Sequence, residues 1–523
     1  MPTDALSDLA AEDLPSSIPA LAQRAAMRYG SAEGVVDGDV RMSFAQLAAA
    51  GRVAARSFIA SGIEPGDRVA IWAPNMYEWV VALLGLQSAG AVLVPLNTRF
   101  KGAEAAYILG KSGARMLMTV SGFLDTDYPA LLEGCSLPDL QETVVLRTDG
   151  WDDFLLRGDE KGITDADVDA RIDSIDPDDV SDILFTSGTT GMPKGVMCTH
   201  SQTLRAYDAW SEVVGLRQGD RYLIANPFFH AFGYKAGIVA CLLRGATIIP
   251  HAVFDPAAVL ARVPEERITM LPGPPALYQT ILNSPELHKH DISSLRLAVT
   301  GAAAIPVELI LRMRKELTFE TIVTGYGLTE ACGIATMCRH DDDPETIATT
   351  SGRAIPDVEV KLAPDGELLV RGYNVMSGYF EDPEATAEAI DAEGWLHTGD
   401  IAEMDDQGNV RITDRKKDMF IVGGFNAYPA EIENLMLGDE RIAQVAVVGI
   451  PDERLGEVGV AFVVPRSDYD PTSETPDDII AWCRDHMANY KVPRRVVLVD
   501  ALPLNASGKV LKYQLRERAV KQQ

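Results

Sequence analysis

The segment Thr186-Ser187-Gly188-Thr189-Thr190-Gly191-Met192-Pro193-Lys194-Gly195 places hydroxyl side chains, three glycines and a lysine directly after the apolar run Ile183-Leu184-Phe185. Those residue types suit one task, the binding of phosphate. Glycine has no Cβ to stop a backbone N–H from turning toward an anion, Ser and Thr hydroxyls add donors, and a lysine brings a point charge. The spacing is G-x-x-G-x-x-K-G, not the G-x-x-x-x-G-K-[ST] of a Walker loop, so the common kinase or ATPase reading is excluded. By itself the segment also fits a Gly/Thr-rich surface turn, and other positions decide between the two.

Five more segments follow in the chain: Gly301-Ala302-Ala303; Tyr326-Gly327-Leu328-Thr329-Glu330; Trp395-Leu396-His397-Thr398-Gly399-Asp400; Asp414-Arg415-Lys416-Lys417-Asp418 with Gly423-Gly424; and Pro503-Leu504-Asn505-Ala506-Ser507-Gly508-Lys509. In their order and spacing, the six together resemble the signature motifs of the adenylate-forming superfamily, which holds acyl-CoA synthetases, firefly-type luciferases and nonribosomal peptide adenylation domains. The resemblance covers essentially the whole chain. It implies an α/β fold with a large N-terminal AMP-binding domain (1–413) of mixed and parallel sheets flanked by helices, plus a small β-barrel subdomain. A hinge (414–418) and a small mobile α+β C-terminal domain (419–523) complete that expectation.

The implied chemistry is activation of a carboxylate. The acid attacks the α-phosphate of ATP, giving an acyl-adenylate and pyrophosphate, and a thiol then displaces AMP. By the same resemblance Thr186 to Lys194 cradle the β and γ phosphates, Thr329 contacts the α-phosphate, and Glu330 holds Mg²⁺. Tyr326 and Gly327, with Gly301, Ala302 and Ala303, enclose adenine, where a flat ring beside small residues permits stacking and close backbone approach. Asp400 accepts from the ribose hydroxyls, a task suited to an acceptor-only carboxylate, and Arg415 supports the same ribose. Lys509 brings its ammonium to the negative charge that accumulates at the transition state. Lys417 is the hinge residue, and Gly423 and Gly424 line the passage for the pantetheine arm of coenzyme A. Two departures from the family pattern are Asp414, where glycine is frequent, and Phe425, where glutamate is frequent.

The chain that must position these groups has 523 residues, beyond the roughly 250 to 300 at which a single core stops growing, so at least two domains are expected. Its 47 Lys and Arg against 76 Asp and Glu leave a net charge of −29, which repels nucleic acid and anionic lipid and requires local donors or a metal for any polyanionic ligand. Eight histidines form no H-E-x-x-H, and six cysteines show no C-x-x-C spacing, which suits free thiols in a reducing cytoplasm. Cys332 and Cys338, just past Glu330, have no histidine nearby in sequence and are expected as buried thiols. The acidic N-terminus lacks a secretory pattern, and Lys521-Gln522-Gln523 is not a peroxisomal address. Trp79 to Leu96 is interrupted by Gly85, Gln87, Ser88, Gly90 and Pro95, which predicts a buried helix leading into a strand and no transmembrane segment.

Short β-branched runs at 68–72, 90–96, 115–120, 247–250 and 295–299 alternate with helical patterns and predict parallel strands covered on both faces. Near residue 365 antiparallel patterns begin. Beyond 418 the spacing predicts a helix at 429–437, strands at 443–449 and 458–464, a helix at 476–488 and a strand at 496–499. The chain ends at Gln523 without the carrier domain of a peptide synthetase, so free coenzyme A is the expected acceptor, and nothing indicates oxidative chemistry. The candidate acyl pocket, with His230, Tyr234, Gly301 and Gly325, is apolar and rich in small residues, which suits a bulky hydrophobic acid. His230 reads equally as a packed core histidine. The whole sequence is similar to actinobacterial ligases of steroid-ring catabolism that activate a two-ring methylhexahydroindanedione propionate. Medium-chain fatty acids and aryl acids stand as alternatives, as does a non-catalytic adenylate sensor, which intact Lys509, Glu330 and Asp400 oppose. Related ligases are often homodimers.

Overall fold

Aliphatic runs such as Arg68–Trp72 and Met116–Thr119 have apolar side chains on both faces, so they are stable only between two covering layers. They are interior strands of a seven-stranded sheet in the order Gly378–Tyr379, Lys194–Thr199, Val180–Thr186, Val92–Pro95, Arg68–Trp72, Met116–Thr119, Glu142–Val145. The five strands from Val180–Thr186 to Glu142–Val145 are parallel, and the first three pair antiparallel. The computed structural model describes residues 14–186, 193–301, 305–415, 418–422, 425–452, 455–466, 476–487, 489–504 and 509–521. The expected buried helix is Tyr77–Ser88, enclosed along almost its whole circumference, and it leads into strand Val92–Pro95. Among the described residues, no helix is long and apolar enough to cross a membrane.

The chain divides into two compact units, 1–360 with 370–396 and 361–369 with 397–523. The cut falls ahead of the expected 414–418 connection. Strand Leu396–Met404 pairs antiparallel with Val410–Arg415, and that ladder keeps both with the C-terminal residues. The larger unit adds two further four-stranded sheets. One holds Arg221–Ile224, Thr247–Pro250, Glu33–Asp37 and Val40–Ser43, and the other Leu297–Gly301, Thr321–Tyr326, Thr336–Met337 and Arg353–Ala354. In the latter Leu297–Gly301 and Thr321–Tyr326 run parallel, so their carboxyl ends point the same way.

The smaller unit is built on a long antiparallel ladder, Ile442–Asp452 with Gly456–Pro465, joined by the parallel strand Arg495–Leu498. Alternation along the ladder sends Val447, Ala461 and Val463 to one core and Val448, Val460 and Phe462 to another. Helices Pro429–Met436 and Pro476–His486 contribute to the first core, and Lys512–Lys521 to the second. The predicted C-terminal helices and strands are all present, each within a few residues of its expected limits.

Helix His200–Val214 follows the loop hairpin and starts with a capping box on Thr199. His200 itself is 3% exposed, and its Nδ1 accepts from the Ile18 backbone N–H at 3.2 Å. Burial draws its imidazole down to about 3. The folded protein therefore holds His200 neutral while the unfolded chain takes up a proton near pH 6.5. Stability from this site is complete above that value and is lost as pH falls toward 3. The melting temperature should fall less in His200→Gln than in the wild type between about pH 7 and about pH 5. Parallel acid losses in calorimetry of the two proteins would exclude His200 as a cause.

Candidate active site

The ends of the expected phosphate loop, Thr186 and Lys194, belong to two antiparallel strands of the seven-stranded sheet. Thr186 ends one strand and Lys194 begins the other, and the two are partners in register. Ser187, Gly188, Thr189, Thr190 and Gly191 lie outside the described residues. The ladder nevertheless fixes where the loop leaves the sheet and where it returns. Gly195, next to Lys194, is required by space: a Cβ there would stand 2.7 Å from the Ile183 side chain. The Tyr107 hydroxyl donates to the Pro193 carbonyl at 3.2 Å and holds the returning arm.

The second motif lies at the end of strand Thr321–Tyr326, where the chain makes a short 3-10 turn, Thr329–Ala331. Cys332 follows in the left-handed region at φ 55°. The turn closes with Gly333 N–H donating to the Leu328 carbonyl and Ala335 N–H to the Tyr326 carbonyl, each at 2.9 Å. Gly333 at φ 94° admits no side chain, since a Cβ would meet the Tyr207 hydroxyl at 2.5 Å and the Ala231 Cβ at 2.8 Å. The loop carrying His230 is thereby seated against the Glu330 turn.

Tyr379 draws Lys194 and Glu330 to one place. Its hydroxyl donates to Glu330 Oε1 at 2.9 Å, and its ring lies 5.0 Å from Lys194 Nζ, a cation–π distance. The Met376 N–H also donates to the Glu330 carbonyl at 2.8 Å. Burial, with the neighbouring Glu330 carboxylate, pushes the Tyr379 phenol well up, so it stays protonated and remains a donor. No motif marks Tyr379, which is 49 residues from Glu330 in the chain. It reaches the site because Gly378–Tyr379 forms a two-residue strand beside the loop hairpin.

Gly301 and Gly325 are register partners at the carboxyl ends of two parallel strands, the edge at which α/β sheets take their ligands. A Cβ on Gly301 would stand 2.8 Å from the Gly325 carbonyl oxygen, so the wall is bare backbone, with Tyr326 next in line. That flat surface beside an aromatic ring fits adenine, and Ala302 and Ala303 lie outside the described residues. Gly327 is required by space, since its Cβ would fall 2.2 Å from the Gly333 carbonyl oxygen. Among the described residues no three metal-ligating side chains gather. One carboxylate, Glu330, fits an ion such as Mg²⁺ that keeps phosphate and water as its other ligands.

His230 is exposed, and its Nδ1 accepts from the Phe232 N–H at 3.2 Å, which corrects the core-histidine alternative. Tyr234, by contrast, is wholly buried: its hydroxyl accepts from Gln87 Nε2 and its ring lies 6.1 Å from Trp79. Cys332 and Cys338 are buried as expected.

In the smaller unit, Asp400 is 4% exposed and directly opposite Arg415 in the ladder. Its neighbours are pinned by Glu367, whose carboxylate accepts from the Gly399 N–H at 2.9 Å and lies 3.1 Å from His397 Nδ1. Lys509 is exposed beside an antiparallel bridge, Leu504 with Val510. Three residues on, Lys512 pairs with Glu433 at 2.8 Å. Burial raises the Glu433 carboxyl against the pull of that lysine. Lys417, Gly423 and Gly424 lie outside the described residues.

Residues 22–380 match the AMP-binding enzyme family, and residues 431–509 match the AMP-binding enzyme C-terminal domain. The chain is 51% identical to the 3-[(3aS,4S,7aS)-7a-methyl-1,5-dioxo-octahydro-1H-inden-4-yl]propanoyl:CoA ligase of Rhodococcus jostii, over 96% of this chain and 99% of that one. It is 52% identical to the ligase of the same name from Mycobacterium tuberculosis, over 96% and 98%. Among solved structures it is similar to the o-succinylbenzoate coenzyme A synthetase of Bacillus subtilis in complex with ATP and magnesium ion. That likeness has a TM-score of 0.79 and 27% identity, and covers 95% of this chain and 98% of that one.

Tyr379→Phe removes one hydroxyl and nothing else, and so tests the support of Glu330. The Mg²⁺ concentration giving half-maximal pyrophosphate release should rise about tenfold, as when the outer partner of a metal-ligating carboxylate is lost. An unchanged Mg²⁺ titration would show that Glu330 is oriented without it.

Proposed function

Since this chain belongs to the AMP-binding enzyme family and is an AMP-forming acyl-CoA ligase that uses ATP, Mg²⁺ and coenzyme A, we propose that its acid is the bicyclic propanoate named for its two half-identical relatives. That kinship, sustained across nearly the whole chain, carries the reading. Small residues on the Gly301 and Gly325 strand ends, and the loop from Asn226 to Gly233 seated on the Glu330 turn, support a pocket for a bulky apolar acid.

The reaction has two displacements in this reading. A carboxylate oxygen forms a bond to the α-phosphorus of ATP as the bond to the bridging oxygen breaks and pyrophosphate leaves. The sulfur of coenzyme A, its proton passing to solvent, then attacks the acyl carbon and AMP leaves. Lys194 and the hydroxyls from Thr186 to Thr190 hold the β and γ phosphates, and Thr329 the α-phosphate. Glu330 would hold Mg²⁺, whose charge would offset that of the phosphates. Tyr326, Gly327 and the residues from Gly301 to Ala303 receive adenine, while Asp400 and Arg415, opposite one another on their ladder, hold the ribose. Lys509 stabilises charge at the transition state of the first step. By the resemblance, residues 414–418, with Lys417, would serve as the hinge that exchanges Lys509 for Gly423 and Gly424 between steps. Six free cysteines support a cytoplasmic setting. A homodimer is the assembly expected by resemblance, and sedimentation of the purified protein decides it.

Two measurements test the proposal. Across the bicyclic propanoate, a medium-chain fatty acid and ferulate, kcat/KM should favour the first by about a hundredfold, the scale on which a well-filled apolar pocket discriminates. Equal values, or a preference for either competitor, would reassign the substrate, and no pyrophosphate release with any acid would favour the sensor alternative. Lys509→Ala should slow acyl-adenylate formation by about a hundredfold or more. It should still convert supplied acyl-adenylate and coenzyme A to thioester, and equal loss in the two steps would remove Lys509 from its role.

A further inference from the structure

Two full charges lie side by side in the core of the larger unit with no access to water. The Lys235 side chain is 1% exposed and that of Asp182 is 0%, and Lys235 Nζ stands 3.0 Å from Asp182 Oδ1. The same ammonium lies 3.4 Å from Cys332 Sγ. Taking two ions out of water costs several kcal/mol each, and their attraction rarely returns more than that. Two apolar side chains of similar volume would hold this core at least as well. Stability therefore does not account for the pair, and what it connects is the more informative observation.

Each partner belongs to an element that ends at the proposed active site. Asp182 is in strand Val180–Thr186, which runs into the phosphate loop. Lys235 is in the widened π-turn Tyr234–Val239, directly after the His230 loop. Such turns occur often at functional sites. Cys332 is two residues past Glu330, in the left-handed conformation that turns the chain back. Smaller bonds complete the arrangement. Ser181 Oγ donates to Asp182 Oδ2 at 2.7 Å and lies 3.1 Å from the Cys198 carbonyl, which joins the two strands of the loop hairpin. The Tyr207 hydroxyl donates to the Cys332 carbonyl at 3.1 Å, and Thr203 Oγ1 lies 3.7 Å from Cys332 Sγ.

The electrostatics agree with an ionised lysine. Burial by itself would lower the Lys235 ammonium, but the Asp182 carboxylate overrides it and holds the group well above the usual lysine range. Burial pushes the Asp182 carboxyl up, and Lys235 and Ser181 pull against it. One buried cation thus meets side chains of two different elements, the Asp182 carboxylate and the Cys332 sulfur.

We propose that Lys235, held by Asp182 and Cys332, is a positioning residue for adenylation: it locks the phosphate-loop hairpin and the Glu330 turn at one separation, so that phosphates and Mg²⁺ are met together. The proposal rests on the reading of Thr186 to Lys194 as the phosphate cradle and of Glu330 as the metal holder. Lys235 touches neither ATP nor acid. Its effect is confined to the geometry of the first half-reaction, because coenzyme A attacks the acyl carbon after pyrophosphate has gone.

The decisive variant is the double change Asp182→Leu with Lys235→Met, which replaces the pair by apolar side chains and strands no charge, as either single change would. It should melt at or above the wild-type temperature. Its kcat/KM for MgATP in pyrophosphate release should fall about a hundredfold, the loss expected when reacting groups are displaced by about an ångström. Thioester formation from supplied acyl-adenylate and coenzyme A should stay within about threefold of wild type. Unchanged adenylation, or equal loss in both half-reactions, overturns the proposal. Should the double variant fail to fold, Lys235→Arg and Asp182→Glu keep the charges and change their reach, and the same split between half-reactions decides. Glu330→Gln separates this proposal from the reading beneath it. An unaltered Mg²⁺ requirement in Glu330→Gln overturns the metal assignment itself. Loss of Mg²⁺ response there, with normal adenylation in the double variant, overturns the positioning role alone.

Discussion

The antiparallel pairing of Val180–Thr186 with Lys194–Thr199 is the constraint on which the site depends. Its register sets Thr186 opposite Lys194, and with them both ends of the phosphate loop. The same ladder passes sheet order outward to Gly378–Tyr379 and inward to Val92–Pro95, so the loop is anchored to the largest core of the molecule. From the outer strand Tyr379 reaches Glu330, and from the inner face Asp182 reaches Lys235 and through it Cys332. A slip of one residue in Val180–Thr186 would turn Asp182 to the opposite face, away from Lys235.

Much of this was legible because the loop residues, the Glu330 segment and the Asp400 strand are local patterns. Short apolar strands announce themselves by composition, as at Arg68–Trp72 and Thr247–Pro250, and a buried helix by the polar interruptions in an otherwise apolar stretch, as at Tyr77–Ser88. The Asp400 and Arg415 pairing follows from two strands around the turn at Gly408.

What escaped was contact between residues far apart in the chain. Tyr379 carries no motif, and its role exists only because a two-residue strand joins the sheet beside the loop. Cys332 was expected as an inert buried thiol for want of a nearby histidine, yet its partner is a lysine 97 residues away. Lys235, in the run Tyr234-Lys235-Ala236-Gly237-Ile238-Val239, carries the residue type most often found at a surface. His230 was ambiguous because an imidazole serves equally to line a pocket or to pack in a core, and its exposure removes the second reading.

The wholly enclosed Lys235 and Asp182 also constrain how this chain can change over time. A single nucleotide change that removes either partner leaves an uncompensated ion in the core, a loss of about 3 to 5 kcal/mol, comparable to much of a domain's net stability. Neither residue has a viable one-step route to an apolar replacement, since either single change strands the other charge. The pair is therefore inherited as one character, gained or lost together, and the two positions are expected to covary across any set of descendants even if selection on the reaction is relaxed.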